Sequence, residues 1–218
     1  MNITERVAKI YSEIPENVRL IAVTKEADID KIRQTYQDTV IRDYAENKLQ
    51  SALNKKPLLK DLDQICWHFI GHLQANKAKK VLEEFKWIHS VDNLALLQRI
   101  DRLALENKLP CSICLQVKAL PDPNKFGWTI EKLMEELKEI EKCQQFISIR
   151  GLMTILPLGL TSEEKIAAFN TIRNLAKSIT STSGVNIEEL SMGMSGDYRE
   201  AVACGATMIR LGRAIYSD

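Results

Sequence analysis

The sequence predicts an α/β fold: a single (β/α)8 TIM barrel, preceded by an N-terminal helix, that occupies residues 1–218 as one domain. Eight short apolar runs alternate with segments of helical period, an order that places parallel strands side by side with helical crossovers. The length gives 218/8 ≈ 27 residues per unit, which suits a compact closed barrel. An open doubly wound sheet is the alternative that the same alternation permits.

The segment before the first strand has the spacing of one helical face. Its apolar residues recur every three or four positions, at Ile3, Val7, Ile10 and Ile14. Asn2 or Thr4 can cap the first turn of this helix, because both side chains accept hydrogen bonds from backbone N–H groups. Pro15 has no N–H group to donate, so we expect the helix to end before it.

The eight predicted strands are short and apolar, and a helical pattern follows each of the first seven. The strands are predicted at Arg19–Thr24, Val40–Tyr44, Trp67–Ile70, Trp87–Ser90, Cys111–Val117, Ile147–Met153, Glu189–Ser191 and Met208–Leu211. The helices are predicted at Asp28–Tyr36, Asn47–Leu59, Asn76–Phe85, Asn93–Asn107, Thr129–Cys143, Ser162–Ser178 and Asp197–Cys204. Ser162, with two glutamates directly after it, is expected to open the longest helix.

Composition and charge exclude several classes of protein. The formal net charge is +1, far from the cationic excess with which nucleic-acid binders displace counterions from phosphates. No apolar run approaches the ~20 residues that a membrane helix needs. The cysteines number five, an odd count that does not suit a disulfide framework, and the charged N-terminal segment lacks a secretory pattern. We therefore expect a cytoplasmic protein that binds neither nucleic acid nor membrane.

Two regions at the predicted carboxyl ends of strands are candidates for chemistry, because barrel active sites lie at that end. Lys25 follows the first strand, where a desolvated amine suits Schiff-base formation; the alternative is an ordinary loop lysine. The small residues of Ser191–Asp197 leave backbone N–H groups available to an anion, and Gly212 provides a second turn beside them. An ordinary turn capped by Ser195 or Asp197 is the alternative there.

Two cysteines and two histidines have spacings that resemble metal or redox motifs. Cys111 and Cys114 form a C-x-x-C pair, but residues three apart on a strand point to opposite faces. His68 and His72 are four residues apart, yet a predicted strand end and Gly71 separate them. We therefore predict no metal site.

Seven stretches of the sequence, in order along the chain, match one known family. They are LIAVTK at 20–25, RDYAENKLQ at 42–50, WHFIGHLQANK at 67–77, IHSVD at 88–92, IRGLMT at 149–154, LSMGMS at 190–195 and IRLGRAIY at 209–216. Together they resemble the pyridoxal phosphate (PLP) homeostasis proteins, single-domain members of the alanine racemase-like barrel group. The combination of WHFIG-x-LQ-x-NK with LSMGMS is the most specific part of this resemblance.

The resemblance implies that PLP is the cofactor and that Lys25 binds it as a Schiff base. It places Asn47 near the cofactor ring, His68 and Ile70 along the same pocket, and Arg210 opposite the pyridine nitrogen. The positions that match the two halves of a phosphate cradle are Ser191, Met192, Gly193, Met194, Ser195, Gly196, Gly212 and Arg213. Three residues depart from the usual pattern: Ala45 stands for Gly, Arg213 for Thr or Ser, and Lys118 for Asn.

A guanidinium group has only N–H donors and stays protonated, so a pyridine nitrogen that faces Arg210 must accept a hydrogen bond. An unprotonated pyridine ring is a poorer electron sink than a pyridinium, which favours storage or delivery of this vitamin B6 cofactor over catalysis. The expected function is therefore PLP homeostasis without catalytic residues, by a monomer whose partners are PLP and apo PLP-dependent enzymes. The alternatives are a racemase-like enzyme of low activity and a regulatory module that binds another protein.

Overall fold

Eight parallel strands pair in chain order and close into a barrel through β1 and β8. The computed structural model describes residues 1–217. The strands are β1 Arg19–Val23, β2 Asp43–Glu46, β3 Cys66–Phe69, β4 Trp87–Val91, β5 Cys111–Gln116, β6 Ile147–Met153, β7 Glu189–Ser191 and β8 Met208–Leu211. This closure confirms the predicted barrel and excludes the open doubly wound sheet.

Helices surround the barrel and connect successive strands. They are α1 Ile3–Glu13, α2 Ile29–Asp38, α3 Leu49–Lys55, α4 Ala78–Glu84, α5 Leu94–Asn107, α6 Ile130–Glu135, α7 Leu137–Glu141, α8 Ser162–Thr182, α9 Tyr198–Ala203 and α10 Arg213–Tyr216. Two short 3-10 turns occur at Lys56–Leu59 and Ala75–Lys77. Among residues 1–217, no helix is both long enough and apolar enough to cross a membrane.

The N-terminal helix forms as the spacing predicts. Asn2, rather than Thr4, is the N-cap, because its side chain accepts from the N–H of Glu5 while the Glu5 carboxylate accepts from the N–H of Asn2. Ile3, Val7 and Ile10 are buried on one face of α1. The helix ends at Glu13, and its apolar face packs against α2 and α10.

Several predicted elements differ from the observed ones in their limits or caps, and helix α10 was not predicted. Three of these differences have a local cause. The second strand begins at Asp43 instead of Val40, because the Arg42 guanidinium donates to carbonyl oxygens before the strand and stabilises a turn there. The helix expected at 129–143 is divided at Glu136, whose carboxylate accepts from the indole N–H of Trp128. Thr161, not Ser162, caps the longest helix.

Successive residues of each strand face opposite sides of the barrel wall. The outward side chains, such as Ile113 and Leu115 of β5, are buried against the helices. The inward side chains form a separate apolar cluster that comprises Ile21, Val23, Ala45, Trp87, Cys114, Met153 and Met208. Polar residues, among them His68, His89 and Arg210, lie on the same inner face as this apolar cluster. Their hydrogen bonds run from the barrel interior towards the carboxyl ends of the strands.

Candidate functional site

A cavity of about 500 Å³ opens at the carboxyl ends of the strands. Nine of the residues predicted for the site line it: Lys25, Asn47, Ile70, Met194, Ser195, Gly196, Arg210, Gly212 and Arg213. They come from the ends of β1, β2, β3, β7 and β8, which the closed barrel brings to one rim. The whole lining includes four positively charged side chains, those of Lys25, Lys165, Arg210 and Arg213, and one acidic side chain, that of Asp197, so the cavity favours an anion.

Lys25 lies in the turn directly after β1. Its side chain is 46% exposed, and its Nζ lies 3.3 Å from the Glu26 carboxylate. The prediction that this amine is desolvated was therefore wrong, because the Lys25 side chain lies at the solvent-exposed rim of the cavity. The preceding residue, Thr24, is fully buried and donates its hydroxyl hydrogen to Glu46 Oε1 at 2.7 Å. Lys55 Nζ lies 2.8 Å from the same oxygen, and these bonds fix the end of β1.

The turns after β7 and β8 present unpaired backbone donors to the cavity. In the described part of the chain, the N–H groups of Ser195, Gly196, Gly212 and Arg213 have no acceptor. Ser195 Oγ accepts from the N–H of Ala214 at 3.2 Å and so connects the two turns. Neighbouring N–H groups of this kind form an anion-binding concavity.

The side chain of Asp197 shapes the first of these turns. It accepts from the N–H of Met194 at 2.6 Å and forms no cap bond with α9. Gly193 adopts a φ of +98°, a left-handed conformation that a residue with a side chain rarely adopts, and a Cβ there would lie 2.8 Å from that of Ala201. The turn therefore differs from an ordinary turn capped by Ser195 or Asp197.

Arg210 forms the charged floor of the cavity. Its side chain is buried, and its guanidinium donates to Ser191 Oγ at 2.6 Å and to the carbonyl oxygen of Thr154 at 2.9 Å. Burial lowers the pKa of Arg210 to about 10, which leaves the group protonated at neutral pH. A fixed cation with further N–H donors therefore lies beneath whatever occupies the cavity.

Four residues predicted for the site lie in the packed interior instead of the cavity lining: His68, Ser191, Met192 and Gly193. His68 is fully buried inside the barrel and bonds to Asp43 and His89. Ser191 is also fully buried, one step below the cavity, where it contacts Arg210. The structure thus separates residues that line the cavity from residues that support them.

Sequence reasoning missed one whole wall of the cavity. The loop after β6 supplies Ile155, Leu156, Pro157, Leu158, Gly159 and Leu160, and Lys165 from α8 adjoins it. Leu158 is 95% exposed, an unusual position for a leucine. Pro157 and Gly159, just after a strand that ends in Thr154, were the signal that could have found this loop.

The two cysteines of the C-x-x-C pair lie on opposite faces of β5, as their spacing predicted. Cys111 is packed on the outer side and Cys114 on the inner side. Burial raises the pKa of both thiols, that of Cys111 to about 12, so neither is a reactive thiolate.

The two histidines four residues apart are also separated. His72 is exposed, pairs with Asp92 and stacks on Phe126, whereas His68 is inside the barrel. Asp43, Cys66 and His68 do lie together, with polar atoms within 4.8 Å. The Arg19 guanidinium, 4.0 Å from Asp43, places a cation beside this hydrogen-bonded group.

Known proteins resemble this chain over nearly its whole length. The family model "alanine racemase, N-terminal domain" matches residues 1–218. A pyridoxal phosphate homeostasis protein from Synechocystis is 51% identical over 214 residues, which cover 96% of this chain and 97% of the relative. A protein of the same name from Escherichia coli is 31% identical over 93% of this chain and 86% of its own length. The chain belongs to the family of pyridoxal phosphate homeostasis proteins.

Solved structures extend the comparison to the fold of this family. PipY from Synechococcus elongatus, solved without PLP, is 45% identical and superposes with a TM-score of 0.95 over 99% of this chain and all of PipY. PipY with PLP bound gives a TM-score of 0.94 at 44% identity, over the same shares of the two chains. An alanine racemase from Clostridium difficile shares the fold at 13% identity, with a TM-score of 0.75, and this chain covers 56% of it.

The residues that depart from the family pattern occupy three different environments. Ala45 is fully buried on the inner face of β2, and Arg213 lies exposed at the cavity rim. Lys118 donates to the carbonyl oxygen of Asp122, within the loop after β5. Of the three, Arg213 is the one that lines the cavity.

Proposed function

We propose that this protein binds PLP as a Schiff base on Lys25 and acts in PLP homeostasis, by storage or delivery. The observation that carries the proposal is one cavity that combines a lysine amine, a cradle of four free N–H groups and a buried arginine. The amine can react with an aldehyde, the N–H groups can bind a phosphate, and the arginine can donate a hydrogen bond to a pyridine nitrogen. The names of the relatives and the PLP-bound structure of PipY support the same assignment.

The residues around the cavity fit the cofactor in size and charge. The volume of about 500 Å³ lies within the range usual for small-ligand sites, roughly 300–1,000 Å³. Ile70, Ile155 and Leu156 provide an apolar wall for a ring, and Asn47 adds an amide directly after β2. Gly71 allows Asn47 to take this position, because a Cβ at Gly71 would lie 1.9 Å from the carbonyl oxygen of Asn47.

Each group has a separate task in this proposal. The aldehyde of PLP supplies an electrophilic carbon, and the Lys25 amine supplies the nucleophile for covalent attachment. Ser195, Gly196, Gly212 and Arg213 hold the phosphate through their N–H groups, where the rim guanidinium of Arg213 adds positive charge. Ser191, Met192 and Gly193 support this turn from beneath it, and His68 acts from the barrel interior.

The absorption spectrum of the purified protein tests the assignment. A protein that holds PLP on a lysine absorbs in the visible range, and Lys25→Ala is expected to lose this band while its circular dichroism is unchanged. Lys118→Ala is the matched control, because Lys118 lies in the loop after β5 and bonds to Asp122. A visible band that survives in Lys25→Ala contradicts the proposal.

We infer further that the protein is not a dedicated catalyst. Arg210 offers donors only, so a ring nitrogen that contacts it accepts a hydrogen bond and lacks the proton that makes pyridoxal chemistry efficient. With amino acids in deuterated water, we expect the α-proton to exchange far more slowly than enzymes achieve, and Arg210→Glu to raise the rate. Rapid exchange by the unmodified protein favours the racemase-like alternative.

We also propose that residues 1–218 act as one domain, in monomeric form and in the cytoplasm, and pass PLP to apo PLP-dependent enzymes. Light scattering during gel filtration tests the monomeric state: we expect the mass of a single chain, and the mass of a dimer would contradict the proposal.

A further inference from the structure

A line of five polar side chains crosses the barrel interior and ends at the floor of the cavity. Asp43 Oδ1 lies 2.8 Å from His68 Nε2, and His68 Nδ1 lies 2.9 Å from His89 Nε2. His89 Nδ1 lies 2.7 Å from Ser191 Oγ, which accepts from Arg210 Nη1 at 2.6 Å. Four of the five side chains are buried, and Asp43 is 21% exposed at the opposite end of the barrel.

The chemistry of Asp43 determines the direction of every hydrogen bond in this line. A carboxylate only accepts, so Nε2 of His68 carries the hydrogen. Burial lowers the pKa of His68 and lowers that of His89 still further, so each ring is neutral and carries a single N–H. Nδ1 of His68 therefore accepts from Nε2 of His89, and Nδ1 of His89 accepts from the Ser191 hydroxyl.

The same direction decides what Ser191 can offer to Arg210. Its only hydrogen is donated to His89, so its oxygen is left as an acceptor for the guanidinium, which has donors only. In the reverse direction, His89 would donate to Ser191, and the Ser191 hydrogen would lose its buried acceptor. An unpaired polar group in the interior is unfavourable, so the observed direction is strongly preferred.

We propose that Asp43, His68 and His89 are positioning residues for Arg210. Through Ser191 they hold one edge of its guanidinium against the barrel interior, where Thr154 accepts from a second nitrogen, and the remaining N–H groups are left for a bound molecule. This inference rests on the proposed function, because PLP is the molecule that Arg210 would contact. None of the three residues touches the cavity; each acts through the next.

Asp43→Asn is the variant that tests this line with the least change of shape. An amide can donate or accept, so it no longer fixes which nitrogen of His68 carries the hydrogen. Cys114→Ala is the matched control, because Cys114 is a buried residue of the same inner face, near Arg210 but outside the line. If Asp43→Asn does not fold, Ser191→Ala removes the Nη1 acceptor from the other end of the line.

Ring-nitrogen NMR of the PLP-free protein gives the first measurement. We expect His68 and His89 to carry hydrogen on Nε2 in the unmodified protein and in Cys114→Ala, and both rings to become tautomeric mixtures in Asp43→Asn. The signal of His89 is decisive, because this residue has no contact with Asp43 and a local effect would stop at His68. A hydrogen on Nδ1 of His89 in the unmodified protein, or an unchanged His89 in Asp43→Asn, overturns the proposal.

Binding of PLP gives the second measurement. We expect Asp43→Asn, or Ser191→Ala in its place, to weaken PLP binding by about tenfold and to shift the visible absorption maximum. Cys114→Ala should change neither. A coloured protein whose affinity and spectrum are the same in Asp43→Asn overturns the positioning role alone. A colourless unmodified protein contradicts the proposed function, while the histidine signals still decide whether the line is directional.

Discussion

The two faces of the barrel wall differ in chemistry although the same strands form both. The outer face buries apolar side chains against helices, as Leu20 and Ala22 do on β1. The inner face mixes apolar residues with an acid, two histidines and an arginine, which are His68, His89, Asp43 and Arg210. Buried polar groups are costly unless they are hydrogen-bonded, and each of these side chains has a hydrogen-bond partner inside the barrel.

The difference shows that stability and function use alternate residues of each strand. Removal of apolar contacts on the outer face should destabilise the fold and leave the cavity intact. A disturbance of the inner face should instead change how the fold responds to protons and how the cavity binds.

The largest effect is expected on the outer face. Phe169 of α8 is 1% exposed, and Phe169→Ala should lower the free energy of unfolding by about 3–5 kcal/mol, because it leaves a cavity in the core. Urea denaturation measures this loss, and the visible band of the folded protein should stay unchanged. Ile166→Ala, on the exposed side of the same helix, is the control and should cost under about 1 kcal/mol. Equal losses at the two positions would be inconsistent with the assigned outer core.

The second effect concerns the inner face and is seen as a pH dependence. Burial lowers the pKa of His68 and His89 below their ordinary value, so the unfolded chain binds more protons than the folded one below about pH 6.5. Stability is therefore complete above that pH and falls as the pH drops, by up to about 1.4 kcal/mol per pH unit for each histidine. Urea denaturation between pH 6.5 and 5.5 measures the slope.

Two variants separate this slope from other causes. His72→Gln should keep it, because His72 is exposed and contributes no buried neutral ring. Phe169→Ala should show the same slope at lower overall stability, since the outer face holds no titrating group of this kind. A flat profile from pH 6.5 to 5.5 would mean that the two inner histidines are charged in the folded protein.

The outer face is also the part of the molecule that the sequence predicts well. Apolar periodicity indicates which side chains are buried. It therefore predicted the limits of β6 and β8 correctly, and it predicted which face of α1 is buried. The same signal failed at Val40, an apolar residue that is 75% exposed in a turn. That turn depends on the side chain of Arg42, which no periodicity describes.

The inner face and the cavity were predicted only in part. Lys25, Ser195 and Arg210 were found because small or charged residues end their strands. His89 was not singled out, since a lone histidine in an apolar strand has no pattern until the barrel brings it to His68. The wall around Leu158 was missed for a similar reason: a loop shows its role only when the strand ends meet at one rim.

The smallest expected effect is a difference in stability between variants of Thr161, the N-cap of α8, and variants of the next residue, Ser162. Thr161 Oγ1 accepts from the N–H of Glu164 at 3.2 Å, while the Glu164 carboxylate accepts from the N–H of Thr161 at 2.8 Å. Thr161→Ala should therefore cost about 1 kcal/mol and speed amide hydrogen exchange in the first turn of α8. Ser162→Ala should cost much less, because the exposed Ser162 hydroxyl has only a 3.4 Å contact with Glu200. If Ser162→Ala lowers the free energy of unfolding more than Thr161→Ala, then Ser162 is the N-cap, as the sequence pattern predicts, and the cap seen in the structure is wrong.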